Sequence, residues 1–189
     1  MTEVFDARVK WNYCRSLFII HNQGNCRGCW AVAAAAAMSD RLCIATNGTI
    51  QVELSAEELL SCVSDSHGCH TGWPYHAWKY LVEQGVVTGG SYGSKDSCLP
   101  YSTKPCGISD FDIECQGKAP TPSCVRQCQP GYNISFQEDK HYGKSYYNIS
   151  NSTIAIQRDI MTYGPVTAGF KVYEDFRHFI SNKTGGIYR

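Results

Sequence analysis

Gln23-Gly-Asn-Cys-Arg-Gly-Cys-Trp30 runs directly into the alanine-rich stretch Ala31–Ala37. The pattern predicts a helix from Cys29 to about Ala45, stopped by Asn47-Gly48. Cys29 then stands where a loop becomes a helix, six residues after a glutamine and immediately before a tryptophan. Helix N-terminal amides and the macrodipole favour a negative sulfur there, and a glutamine amide can donate to a developing oxyanion. The segment suits a thiolate nucleophile.

Working outward, the 189-residue chain is 43% hydrophobic, enough for one domain with a real core, read here as two-lobed. Its formal net charge is +0 and no basic stripe is present, which argues against nucleic acid as a partner. No apolar run reaches the length of a membrane span, so no membrane insertion is expected, and the first residues lack the apolar core of a signal peptide. Eleven cysteines spread through loops imply a disulfide framework with at least one sulfur left over. Asn47, Asn133, Asn148, Asn151 and Asn182 each have Ser or Thr two places on, which makes them candidate glycosylation sites. The expected compartment is therefore the secretory route, and with no leader visible the sequence is expected to be a fragment.

Three helices are expected early in the chain. After the Cys29 helix, Ser55-Ala-Glu-Glu58 forms a capping box before Leu59 and Leu60, and Pro74 opens a third helix that ends before Gly85. The entry before Cys29, containing Phe5-Asp6-Ala7-Arg8 and Cys14, is expected to be irregular. Gly89–Gly131 is rich in Gly, Pro, Ser and Cys, with a shape that only disulfides would hold. A short helix is expected at about Thr153–Thr162, stopped by Gly164-Pro165, and Val166–Tyr173 reads as a strand.

Two rival chemistries use the same residues. Cys26 and Cys29 spell C-x-x-C, as in a thiol-disulfide oxidoreductase, although an irregular loop precedes the motif where a strand is wanted. Cys62, His67, Cys69 and His70 have the ligand types of a zinc site.

The 23–30 segment resembles the nucleophile region of the papain-like cysteine peptidases. Phe5-Asp-Ala-Arg8, Met38-Ser-Asp-Arg41, Leu54-Ser-Ala-Glu-Glu58, Asp139-Lys-His-Tyr-Gly143 and Gly164-Pro-Val166 resemble the cathepsin B-like branch in order and spacing. The resemblance implies an α+β, two-lobed papain-like fold over residues 1–189. It has a helical left lobe at about 12–97, a disulfide-rich insertion like the occluding loop at 98–128, and an incomplete β-rich right lobe at 129–189. It implies Cys29 as nucleophile, Gln23 with the Cys29 N–H as oxyanion donors, and an acyl-enzyme mechanism. It implies the bridges Cys14–Cys43, Cys26–Cys69, Cys62–Cys124, Cys98–Cys128 and Cys106–Cys115. These leave Cys29 free and make no use of a metal or other cofactor. Implied partners are peptide and protein substrates, a propeptide and cystatin-type inhibitors, around a secreted or lysosomal monomer.

The catalytic histidine is the gap. His178 lies at a suitable distance along the chain, but its surroundings resemble a stretch that precedes that histidine in the family. The general base and its orienting asparagine are expected beyond Arg189, and the fragment alone is expected to be inactive.

Several positions depart from the family pattern. Arg27 and Gly28 replace Gly and Ser, and Thr71 replaces the first glycine of the Cys69-His-Thr-Gly72 shelf. The resemblance places Arg27, Gly28, Thr71 and Gly72 beside the scissile bond, where the added side chains are expected to narrow the subsite; Arg27 either disfavours basic residues there or simply points to solvent. Trp73, Pro74 and Gly169 match the neighbouring apolar subsite. The insertion lacks the paired histidines that grip a substrate carboxylate, and Asn22 stands where an aspartate often ties the loop down. An endopeptidase with weak or absent carboxydipeptidase action follows. The alternative is a catalytically dead homologue that acts as a binding protein.

Overall fold

The computed structural model describes residues 4–107, 115–173, 175, 176 and 179. Its elements are α1 (Ala7–Lys10), a 3-10 turn (Arg15–Phe18), α2 (Cys29–Ala45), α3 (Ala56–Cys62), α4 (Pro74–Glu83) and α5 (Thr153–Tyr163). The expected irregular N-terminal stretch thus contains two short turns of helix. Asp6 caps the first of them by accepting from the Arg8 N–H.

Helix α2 is the axis of the core. Trp30, Ala31, Ala34, Ala35, Ala37, Met38, Cys43 and Ile44 are all buried along it. Its alanines lose little side-chain entropy in a helix and let neighbours approach closely. Leu59 and Leu60 of α3 and Ala77 and Leu81 of α4 join Trp30, Ala34 and Met38 in one cluster. A smaller cluster of Trp11, Cys14, Cys43 and Ile44 closes the far end of α2 around the Cys14–Cys43 bridge. Asn47 takes a positive φ of 50° just past α2, and the Gly48 N–H returns to the Cys43 carbonyl at 2.9 Å, which ends the helix.

The capping box at α3 forms by half. Ser55 Oγ accepts from the Glu58 N–H at 3.0 Å, but the Glu58 carboxylate does not return to Ser55. The Ser55 N–H donates instead to the Val87 carbonyl. Glu58 is fully buried and accepts from Tyr80 Oη at 2.9 Å, from the Val87 N–H at 2.8 Å and from Lys140 Nζ. Tertiary partners have outcompeted the local return bond.

Among the described residues no strand is formed, and only the isolated bridges Leu54 to Thr88 and Val86 to His141 have β pairing. The strand expected at Val166–Tyr173 is a correction: this stretch is coil, and Phe170, Val172 and Tyr173 stand exposed. β-branched and aromatic residues favour a pleated surface only where a neighbouring strand supplies the ladder, and the described residues contain none there. Helix α5 docks on α2 through Arg41. Its guanidinium pairs with Asp159 and donates to the Pro165 carbonyl at 2.8 Å, while Tyr147 Oη donates to Asp159 at 2.8 Å.

Candidate active site

Cys29 is the first residue of α2 and the free cysteine among the described residues, and it is exposed. Gly28 precedes it as N-cap, its carbonyl accepting from the Ala31 and Val32 N–H groups at 2.9 and 3.0 Å. Gly28 is buried, and a side chain there would strike Cys26 Sγ and Leu60 Cδ2, each 2.9 Å from an ideal Cβ. Gly28 therefore admits no side chain.

A second segment lies along the first. Cys26 is bridged to Cys69, the Arg27 N–H donates to the Cys69 carbonyl at 3.2 Å, and Trp30 Nε1 donates to the Gly68 carbonyl at 3.0 Å. The Trp30 ring covers Gly72 so closely that a Cβ there would sit 2.3 Å from Cε2. Glycine at 72 is therefore a steric requirement of the tryptophan after the thiol. Arg27, His70 and Thr71 are exposed on these segments. Trp73 is 69% exposed at the head of α4, with Pro74 in the first turn. A side chain at Gly169 would meet nothing within 4 Å, and neither cavity described below includes Trp73, Pro74 or Gly169.

On its other flank the segment is joined to the disulfide-rich insertion. Asn22 Nδ2 donates to the Cys106 carbonyl at 2.9 Å, and Asn22 Oδ1 accepts from the N–H groups of Gly24 at 2.8 Å and Cys106 at 3.3 Å. Asn25 Nδ2 donates to the Gln116 carbonyl at 2.8 Å, and the Asn25 carbonyl accepts from the Ala119 N–H at 3.2 Å. Both ends of the Cys106–Cys115 loop are thus held by asparagine side chains. Asn22 makes this tie without a charge, because an amide both donates and accepts. The loop tie that an aspartate often makes at this position is thus kept by the amide. Asn25, Tyr92, Lys104, Pro105, Cys106 and Gln116 line an open cleft of about 440 Å³ beside this junction.

Gln23 is half-buried, its Oε1 enclosed and unpartnered and its carbonyl accepting from Tyr101 Oη at 3.0 Å. Burial first, then the charge of Glu57, pushes Tyr101 up to about 12, so it stays a donor to that carbonyl at ordinary pH. His21, next to Asn22, faces Glu53 at 3.9 Å and lines a small cavity of about 30 Å³ with Glu53, Leu54 and Tyr101. Nearby Asp40 is buried, with one carboxylate oxygen unpartnered. Burial raises it above the ordinary carboxylate value, against the smaller lowering effects of Ser16 and His21.

The two rival chemistries lose their sulfurs. Cys26 is bridged to Cys69 and not to Cys29, and Cys62 is bridged to Cys124. Among the described residues no group of His, Cys, Asp or Glu is placed to hold a metal ion. The remaining bridges are Cys14–Cys43, Cys98–Cys128 and Cys106–Cys115. No described histidine is hydrogen-bonded to Cys29, and His178 lies outside the described residues.

An exposed thiol at the head of a buried helix, with a glutamine before it and a bridged segment beside it, is the arrangement expected of a cysteine peptidase. The chain matches the papain family cysteine protease profile over residues 1–189, and it belongs to that family. It is 48% identical to cathepsin B-like cysteine proteinase 1 of Ostertagia ostertagi over 99% of this chain and 54% of that protein. It is 47% identical to cathepsin B-like cysteine proteinase 1 of Haemonchus contortus over 98% of this chain and 54% of that protein. Among solved structures, the procathepsin B S9 of Trypanosoma congolense superposes with a TM-score of 0.69 at 31% identity, covering 86% of this chain and 49% of that one. The chain spans about half the length of the curated relatives it matches.

Proposed function

We propose that this chain is the nucleophile-bearing part of a cathepsin B-like cysteine endopeptidase. The observation that carries the reading is the one unbridged, exposed cysteine among the described residues, at the head of a helix whose body is core. In the full-length protein the Cys29 thiolate attacks the scissile carbonyl, and Gln23 and the Cys29 N–H stabilise the oxyanion. A histidine oriented by an asparagine, both supplied outside these 189 residues, protonates the leaving amine and then activates water.

The substrate runs between Arg27 and Thr71, the residue on the acyl side of the scissile bond lying against them and the next one out toward Trp73, Pro74 and Gly169. The insertion at 98–128 has no described histidine to grip a free carboxylate, which favours internal cleavage. Peptide and protein substrates, a propeptide and cystatin-type inhibitors are the partners this reading names, around a monomer. Five disulfides and exposed sequons at Asn47, Asn133, Asn148 and Asn151 favour a secreted or lysosomal protein. Asn182 lies outside the described residues.

A second reading has Arg27 and Thr71 closing the cleft of an inactive binding homologue. Hydrolysis of internally quenched peptides by the full-length protein, lost in Cys29→Ala, separates the two. Turnover that is no faster on a free C-terminus than on its amide supports the endopeptidase. A folded protein with no turnover supports the homologue.

A further inference from the structure

We infer that Arg27 makes the cleft selective for an acidic residue, Asp or Glu, on the acyl side of the scissile bond. The inference rests on the peptidase reading above, which places that residue between the 26–30 and 69–72 segments. Those segments are fixed to one another by the Cys26–Cys69 bridge, the Arg27 N–H to Cys69 carbonyl bond and the packing of Trp30 over Gly72. The distance between the walls is therefore set before substrate arrives.

Steric limits then decide which side chains the walls present. Gly28 is backed by Cys26 Sγ and Leu60, and Gly72 by the Trp30 ring, so neither position admits a side chain. What remains facing solvent is Arg27 on one wall, with His70 and Thr71 on the other. Neither wall holds an acidic residue.

The Arg27 guanidinium has no hydrogen bond or ion pair with any described residue. Arg8 is paired with Asp6 and Lys79 with Asp65, whereas Arg27, like the exposed Arg15, Lys95 and Lys104, makes no ion pair with a described residue. Arg27 is thus a permanent positive charge two residues from the nucleophile, left without a counter-ion among the described residues. A carboxylate entering the cleft can accept from the guanidinium in bidentate fashion, with the Thr71 hydroxyl as a further donor. A Lys or Arg side chain meets like charge. Attraction of one and repulsion of the other each contribute a factor of about three at solvent-accessible geometry, so the expected discrimination between Glu and Lys is about tenfold.

The test uses the full-length enzyme and peptides alike except for Glu, Gln, Lys or Gly before the scissile bond. Expected kcat/KM falls from Glu through Gln to Lys, about tenfold in all. The ratio collapses toward one in Arg27→Gln and Arg27→Gly and inverts in Arg27→Glu. Gln, similar to Glu in shape, separates charge from size. Equal rates for Glu and Lys in the wild type overturn the inference, as does a preference for Gly that Arg27→Gly leaves unchanged. A parallel arm measures Cys29 alkylation by peptidyl acyloxymethyl ketones carrying Glu or Lys beside the reactive carbonyl, which needs no turnover. A Glu preference in alkylation without peptide hydrolysis removes the peptidase reading and leaves Arg27 selectivity standing. Hydrolysis with no preference in either arm does the reverse.

Discussion

Residues 29–83, which carry Cys29 and the 69–72 segment, and residues 97–132, which contain the disulfide-rich insertion, are held in shape by different physics. The first region is helical, and its position comes from shared burial of Ala31, Ala34, Met38, Leu59, Leu60, Ala77 and Leu81. The second has no helix or strand among its described residues. Its backbone is held by the Cys62–Cys124, Cys98–Cys128 and Cys106–Cys115 bridges and by individual side chains. Asn22 holds Cys106, Asn25 holds Gln116, Gln129 Nε2 donates to the Ser97 carbonyl, and Glu57 accepts from the Ser102 N–H at 3.0 Å. A packed region shares its stability over many contacts, whereas a stapled region depends on a few that can be removed one at a time.

The largest effect is expected at the one buried ion pair that the helical region shares with a residue outside it, among the described residues. Glu58 is fully buried, and Lys140 is the cation that pairs with it. Lys140→Met leaves a buried carboxylate without its counter-ion, a loss of about 3–5 kcal/mol. Denaturant unfolding of the full-length protein checks this, and a loss below about 1 kcal/mol would mean that Tyr80 and Val87 satisfy Glu58 unaided.

Asn22→Ala comes next and probes the stapled region. It removes the bonds to Cys106 and Gly24, worth together about 1–3 kcal/mol locally. Faster amide exchange at Gly24 and Cys106 is expected, with the global unfolding midpoint nearly unmoved because the helical core is untouched. A midpoint shift as large as that of Lys140→Met would erase the contrast between the regions.

The smallest expected effect depends on pH and lies at Asp40. Burial raises this carboxyl above its ordinary value of 3.8, so the folded state holds the proton more tightly than the unfolded chain. Its contribution is therefore full below the ordinary value and declines as pH rises through the folded one. Asp40→Asn should gain in thermal midpoint over the wild type at about pH 7 relative to about pH 3.5. A larger gain on the acid side would contradict the direction of the shift.

The helical region was largely legible in the sequence, because apolar spacing, Asn47-Gly48, Ser55 and Pro74 are local signals that the tertiary structure left in place. The strand at Val166–Tyr173 was misread because residue type was taken for pairing. The capping box was half misread because Glu58 turned from Ser55 to Tyr80, Val87 and Lys140, partners 22 to 82 residues away. In the candidate site, Cys29 and Gln23 stand out by spacing. The steric lock of Gly72 on Trp30 is a contact between segments far apart in sequence, invisible until the chain is folded. Arg27 stands out in the sequence as a departure from the motif; that it has no counter-ion among the described residues is visible only in the structure.

The central claim is that the thiol at the head of α2 is a nucleophile served by Gln23. The most direct measurement is turnover of an internally quenched peptide by the full-length protein and two single variants of matched stability. Cys29→Ala should abolish hydrolysis, and Gln23→Ala should lower kcat by about 10²- to 10³-fold, the effect of losing one oxyanion donor. Hydrolysis that survives Cys29→Ala, or a Gln23→Ala variant as fast as the wild type, would contradict it.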